Sequence, residues 1–247
     1  MARFLLIHGA MGGAWCWEPV LPGLQALGHQ AVAIDLPGQG ADPTPVAEIT
    51  LYRYADAVCE ALDRFDGPVI LTGHSMGGMV ITQAASQRPE KLSGLAYVAA
   101  FLPQPGQALI DITRLPEAAG DSVQANIVVD GDPPVAVMPS EAAPKALYHC
   151  CTPEQVAWAL PRRAGQPVIP FTNPFTPGAG IQAAAALPRA YITCLQDRAI
   201  RPALQRRFYT EAGCDPVIEI DTDHSPWLSR TEELVAALDA VAAAFST

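Results

Sequence analysis

Val69-Ile70-Leu71-Thr72-Gly73-His74-Ser75-Met76-Gly77 is the stretch on which the reading of this chain turns. An apolar run ends in a Gly-x-Ser-x-Gly pentapeptide, and a helix-like apolar segment follows it. A serine hydroxyl is a weak nucleophile until it is held exposed beside a base, and a sharp strand-to-helix turn holds it so. Gly73 and Gly77 suit such a turn, because a β-carbon at either place would meet neighbouring chain. The competing reading is an ordinary strand-to-helix turn with an inert serine. The strand before the motif and the helix after it favour the nucleophile.

Outward from the motif, short apolar runs alternate with helical patterns. Phe4–Ile7, Ala31–Ile34, Val69–Thr72 and Leu95–Ala99 read as buried parallel strands, since each is nearly continuous in apolar residues. Trp17–Leu27, Leu51–Phe65 and Met76–Gln87 read as crossover helices, with Arg88-Pro89 as a stop. From Pro103 the rhythm breaks into a proline- and glycine-rich stretch whose clear helix start is Thr152-Pro153-Glu154-Gln155. It returns with strand Tyr191–Leu195, helix Ala203–Ala212, strand Val217–Ile220 and helix Thr231–Phe245. The pattern predicts an α/β fold: a doubly wound, mostly parallel sheet with a cap inserted after the fourth strand. The core is expected at 1–102 and 188–247 and the cap or lid at 103–187.

Ligands of open α/β sheets bind at the carboxyl ends of the strands, so chemistry-bearing residues should follow those ends. Asp197 follows the strand ending at Leu195, and His224 follows the strand ending at Ile220. With Ser75 they give the chain order Ser…Asp…His of a nucleophile-elbow triad. Ser75 is expected to attack an acyl carbonyl, His224 to move its proton, and Asp197 to fix the imidazole tautomer. Asp221 and Asp223 are rivals for the acid, but lie so near His224 in the chain that reaching back to its ring is awkward.

Acyl transfer places negative charge on the carbonyl oxygen, and backbone N–H groups must already face it. The glycine-rich loop His8-Gly9-Ala10-Met11-Gly12-Gly13 follows the first strand, so the Ala10 N–H is the expected first donor and the Met76 N–H the second. A dinucleotide site competes for this loop, but it lacks the Gly-x-Gly-x-x-Gly spacing and a phosphate-binding lysine. Gly9, Met11, Trp158, Phe171 and Phe175 are candidate pocket walls, the last three equally readable as cap core. Asp35 reads as a loop anchor, and Trp15 and Trp17 as helix-start packing. His149 beside Cys150 and Cys151 hints only faintly at a metal; no metal and no cofactor is expected.

The 247 residues are 50% hydrophobic and 16% charged, which suits one compact domain with an insertion. A formal charge of −10 disfavours nucleic acid and anionic membrane as partners, and leaves a small-molecule ester substrate open. No apolar run is long enough to span a bilayer. The first strand follows the N-terminus directly, with no leader pattern, and the six cysteines show neither metal spacing nor a disulfide framework. Free, mostly buried thiols and a cytoplasmic location are expected. An apolar cap or sheet edge leaves room for a homodimer.

The motifs His8-Gly9-Ala10…Gly13-Ala14-Trp15-Cys16-Trp17, Gly73-His74-Ser75-Met76-Gly77-Gly78-Met79 and Leu147-Tyr148…Cys151-Thr152-Pro153-Glu154 resemble one family. Asp197-Arg198-Ala199-Ile200 and Asp223-His224 extend the resemblance to the end of the chain. It is to the α/β-hydrolase superfamily and, within it, to the plant methylesterase and hydroxynitrile lyase group with its bacterial pyrethroid-type carboxylesterases. The resemblance implies a serine esterase working through an acyl-enzyme. The lyases of that group carry threonine at the position of Gly9 and lysine at that of Ser225, so the resemblance favours ester hydrolysis over cyanohydrin or other carbon–carbon cleavage. A non-catalytic ligand receptor on the same fold is the second alternative. The usual N-terminal hairpin before the first parallel strand is missing.

Overall fold

The computed structural model describes residues 1–246. Six strands form the main sheet: β1 (Arg3–Ile7), β2 (Gln30–Ile34), β3 (Val69–His74), β4 (Leu92–Val98), β8 (Arg189–Cys194) and β9 (Val217–Ile220). Their order is β2-β1-β3-β4-β8-β9, and every neighbouring pair is parallel. The chain winds outward from β1 to β2, then crosses back to place β3 on the other side of β1. At that reversal the loops leaving β1 and β3 part and open a crevice, the usual ligand position in such sheets.

The continuous apolar strands are explained by two cores, one on each face. Leu5, Ile7, Leu71, Leu95 and Tyr97 join the core beneath helices Leu51–Leu62 and Gly77–Ala85. Phe4, Leu6, Ile70, Ala96 and Val98 point the other way, into the core beneath helices Leu21–Ala26 and Thr231–Ala244. Alternate side chains of a strand face opposite sides, so a strand covered on both must be apolar throughout. Helix Leu51–Leu62 starts where Thr50 Oγ1 accepts the Arg53 N–H at 3.0 Å, and buries Leu51, Tyr54, Ala55 and Val58 at helical spacing.

Two expectations about these elements are corrected. The strand at Ala31–Ile34 is not buried on both faces: β2 is the sheet edge and leaves Val32 39% exposed. The helix expected over Trp17–Leu27 is split into a short 3-10 turn at Ala14–Trp17 and a helix at Leu21–Ala26, with Pro22 in its first turn. Proline lacks the N–H that a continuous helix would need there.

Between β4 and β8 the chain makes the inserted cap. Its capped helix runs over Pro153–Ala159, with Thr152 and Gln155 exchanging side-chain-to-backbone bonds of 3.3 and 2.8 Å. The cap also holds a small antiparallel sheet, β5 (Val128–Asp130), β6 (Val135–Val137) and β7 (Gln166–Pro167), which the sequence pattern does not announce. Strands of two or three residues are too short to display a period, and β6 finds β7 about thirty residues away. No helix among the described residues is long and apolar enough to cross a membrane.

Candidate active site

Ser75 stands at the end of β3 with φ of +55°, in the left-handed region that non-glycine residues seldom occupy. The turn is clamped on both sides. The Ser75 N–H donates to Val98 O at 3.3 Å, and Ser75 O accepts the N–H groups of Gly78 and Phe101 at 3.0 and 3.1 Å. A β-carbon on Gly73 would sit 2.6 Å from Gly77 O, and one on Gly77 would sit 2.8 Å from His8 O. The glycines therefore let helix Gly77–Ala85 begin directly against the elbow and against the end of β1.

His224 and Asp197 arrive from the ends of β9 and β8 and are both buried. His224 Nδ1 lies 2.7 Å from Asp197 Oδ2, so Nδ1 carries the donated proton and Nε2 keeps its lone pair. Burial opposes charge on His224. The Asp197 carboxylate and its hydrogen bond, with Asp121 and Asp223 behind them, outweigh that and raise the imidazole above its ordinary 6.5. Asp197 Oδ1 accepts the N–H groups of Ala199 and Ile200 at 2.7 and 3.0 Å, and Oδ2 also accepts Gln205 Nε2 at 3.0 Å. The rivals for the acid are engaged elsewhere. Asp221 accepts from Gln196, while Asp223 accepts the N–H groups of Ser225 and Cys150.

The loop after β1 is held by His8. Its Nε2 accepts the Leu36 N–H at 3.1 Å, so its Nδ1 is the protonated nitrogen and donates to Gly9 O at 2.8 Å. Burial lowers the His8 pKa, which keeps the ring neutral as this bonding requires. Among the described residues, neither the Ala10 N–H nor the Met76 N–H donates to any protein acceptor. Asp35 anchors the loop, accepting the N–H groups of Ala14 at 2.6 Å and Ala41 at 3.0 Å.

Ser75, His224, Ala10 and Met76 all line one cavity of about 290 Å³ under the cap. Gly9, Met11 and Phe171 line it too, whereas Trp158 and Phe175 are not on its wall. Trp158 packs edge-on against Trp15 at 5.6 Å and carries Arg162 over its ring, and Phe175 is buried. Most of the wall is apolar, with Leu109, Ile127, Val129, Met138 and Val168 supplied by the cap. No group of three or more His, Cys, Asp or Glu among the described residues is placed to hold a metal.

Three residues at this site escape the sequence reading. Gln205 lies on the buried face of helix Pro202–Glu211 beside Leu204 and Phe208, so its one available signal was a polar residue on an apolar face. His74 donates from Nε2 to His224 O at 2.7 Å, tying the elbow to the histidine loop. Asp121 reaches the cavity from an irregular cap segment that gave no signal.

A sequence model described as the alpha/beta hydrolase family matches residues 4–237. The chain is similar to norfluorocurarine synthase 2 of a Strychnos species, 32% identical over 96% of this chain and 93% of that one. It is similar to methylesterase 7 of Arabidopsis thaliana, 31% identical over 96% and 94% of the two chains. Among solved structures, a pyrethroid hydrolase from Sphingobium faniae superposes with a TM-score of 0.85 at 26% identity, over 98% of each chain.

Proposed function

The chain belongs to the alpha/beta hydrolase family, and we propose that Ser75, His224 and Asp197 make it a serine esterase acting on small or medium carboxylic esters through an acyl-enzyme. The observation that carries this reading is the shared cavity. Ser75 and His224 line it together, His224 is hydrogen-bonded to Asp197, and Ala10 and Met76, whose N–H groups have no protein acceptor among the described residues, line the same cavity.

Ser75 Oγ attacks the acyl carbon as His224 Nε2 takes its proton, and Asp197 stabilises the imidazolium that forms. The carbonyl oxygen becomes an oxyanion, and the N–H groups of Ala10 and Met76 on the cavity wall are the donors that stabilise it. Collapse of the tetrahedral intermediate expels the alcohol, protonated by His224. Water then attacks the acyl-enzyme with His224 as base, and the acid departs. The apolar wall and the 290 Å³ volume suit an ester of modest size with apolar acyl and alcohol parts.

The names of the relatives support the same chemistry, since a methylesterase and a pyrethroid hydrolase are both ester hydrolases. Ser225 follows His224 where the resembling lyases carry lysine, so no side-chain cation stands there to stabilise a cyanide leaving group. Six free cysteines, four of them buried, support a reducing compartment such as the cytoplasm, and the charge of −10 supports a small-molecule substrate over nucleic acid.

The test is covalent. A fluorophosphonate probe should label Ser75, labelling should vanish in Ser75→Ala, and p-nitrophenyl butyrate should be turned over by the wild type alone. A folded wild-type protein that is neither labelled nor active would overturn the reading.

A further inference from the structure

We propose that Asp121 makes the cavity selective for charge, admitting esters whose acyl and alcohol parts are neutral or cationic and rejecting those that carry a free carboxylate. This rests on the esterase reading and names the substrate class of the same site.

The ionisable groups on the cavity wall are Cys16, His74, Asp121 and His224, and no lysine or arginine is among them. Burial pushes the Cys16 thiol up to about 12 and drives the His74 pKa well below 6.5, so neither carries charge near neutral pH. His224 is neutral whenever it is ready to act as base. The fixed charge facing a substrate is therefore the Asp121 carboxylate.

That carboxylate cannot swing out of the way. Its Oδ1 accepts the N–H groups of Val123 and Gln124 at 2.6 and 3.2 Å, and its Oδ2 accepts Gln124 Nε2 at 3.2 Å. The neighbouring Ser122 N–H donates to Arg198 O at 2.7 Å, fixing the segment against the core one residue beyond Asp197. Burial raises the Asp121 pKa, while the donated N–H groups and nearby His224 oppose the rise. Two like charges several ångströms apart in such a setting lower binding by about ten- to a hundredfold. The same repulsion acts after deacylation: hydrolysis releases a carboxylate into the cavity, and Asp121 favours its departure.

Three methyl esters of six-carbon acids test this at about pH 7.5: methyl hexanoate, monomethyl adipate and methyl 6-aminohexanoate. In the wild type, kcat/KM should favour hexanoate over adipate by about tenfold or more. Asp121→Asn keeps an oxygen for the Val123 and Gln124 N–H groups, and should narrow that ratio about tenfold while lowering the aminohexanoate-to-hexanoate ratio. Equal turnover of adipate and hexanoate by the wild type, or unchanged ratios in a folded Asp121→Asn protein, would overturn the proposal. Should the variant not fold, the wild-type ratio of methyl 6-aminohexanoate to monomethyl adipate decides: the apolar wall disfavours both charged tails, so a preference for the cation supports the proposal and equal turnover overturns it. If no methyl ester is cleaved, the esterase reading fails separately, and calorimetric binding of hexanamide against hexanoate decides the charge claim. Tighter binding of the amide supports it, and equal binding overturns it.

Discussion

Asp197 Oδ2 meets His224 Nδ1 at 2.7 Å in a setting where the carboxylate is fully enclosed and its remaining lone pairs are occupied. A carboxylate can only accept, so it holds the imidazole in the tautomer with a free Nε2 lone pair. In Asp197→Asn the amide can turn its NH₂ toward Nδ1, which selects the opposite tautomer and removes the base. The expected outcome is a loss of about 10³- to 10⁴-fold in kcat for p-nitrophenyl butyrate, with a melting temperature that shows the variant folded. A loss below about tenfold would remove Asp197 from the triad.

Gln205 settles how Asp197 is held. Its Oε1 accepts Thr193 Oγ1 and the Cys194 N–H at 2.9 and 3.1 Å, so its Nε2 must be the end that faces Asp197 Oδ2 and Ile200 O. The amide orientation is thus dictated by the Cys194 N–H, which can only donate. Gln205→Met keeps the length of the side chain but deletes the donor. It should lower kcat about ten- to a hundredfold, leave KM within about threefold, and move the far-downfield proton NMR signal of the His224–Asp197 bond. Unchanged kcat and an unmoved signal would reduce Gln205 to a packing residue.

The pH dependence follows from the raised His224 pKa. The base must be neutral, so activity falls as pH drops through the pKa of the folded protein, and the acid limb of kcat/KM should lie above 6.5. Removing a carboxylate that raises it without touching the His224–Asp197 bond should bring it down: in Asp121→Asn the acid limb should move to lower pH. A wild-type limb at or below 6.5 would contradict the electrostatic balance described for His224.

The parallel sheet, and the meeting of His224 with Asp197 beside the cavity that Ser75 lines, were legible because each is written in a local pattern: an apolar run, then a turn, then one residue of the required chemistry. Ser75, Asp197 and His224 stand one, three and four residues beyond the ends of β3, β8 and β9. Burial of a strand was less legible, because Ala31–Ile34 looks like its interior neighbours although β2 lies at the sheet edge. Adjacency is set by the crossover order, which no single strand encodes. Contacts across the cap were illegible for a similar reason. Asp121 reaches the cavity through a turn without periodicity, and Cys150 is tied to Asp223 by a 2.7 Å bond spanning 73 positions of the chain. Trp158, readable in the sequence as either pocket wall or cap core, packs on Trp15 and is not on the cavity wall.

Gly9 gives a steric test of the elbow itself. A β-carbon there would lie 2.7 Å from Ser75 Cβ, 3.0 Å from His74 Nδ1 and 3.3 Å from His74 O. Ser75 cannot yield cheaply, because its backbone is fixed in the left-handed region and clamped through Val98, Gly78 and Phe101. His74 cannot yield either without releasing His224 O. Gly9→Ala must therefore push the loop that carries the Ala10 N–H away from the serine, which lengthens the distance to an oxyanion. The expected result is a fall of about tenfold or more in both kcat and the fluorophosphonate labelling rate. A stability loss of about 1–3 kcal/mol in chemical denaturation should accompany it. Labelling at the wild-type rate would show that the loop moves freely and that Gly9 is dispensable to the elbow.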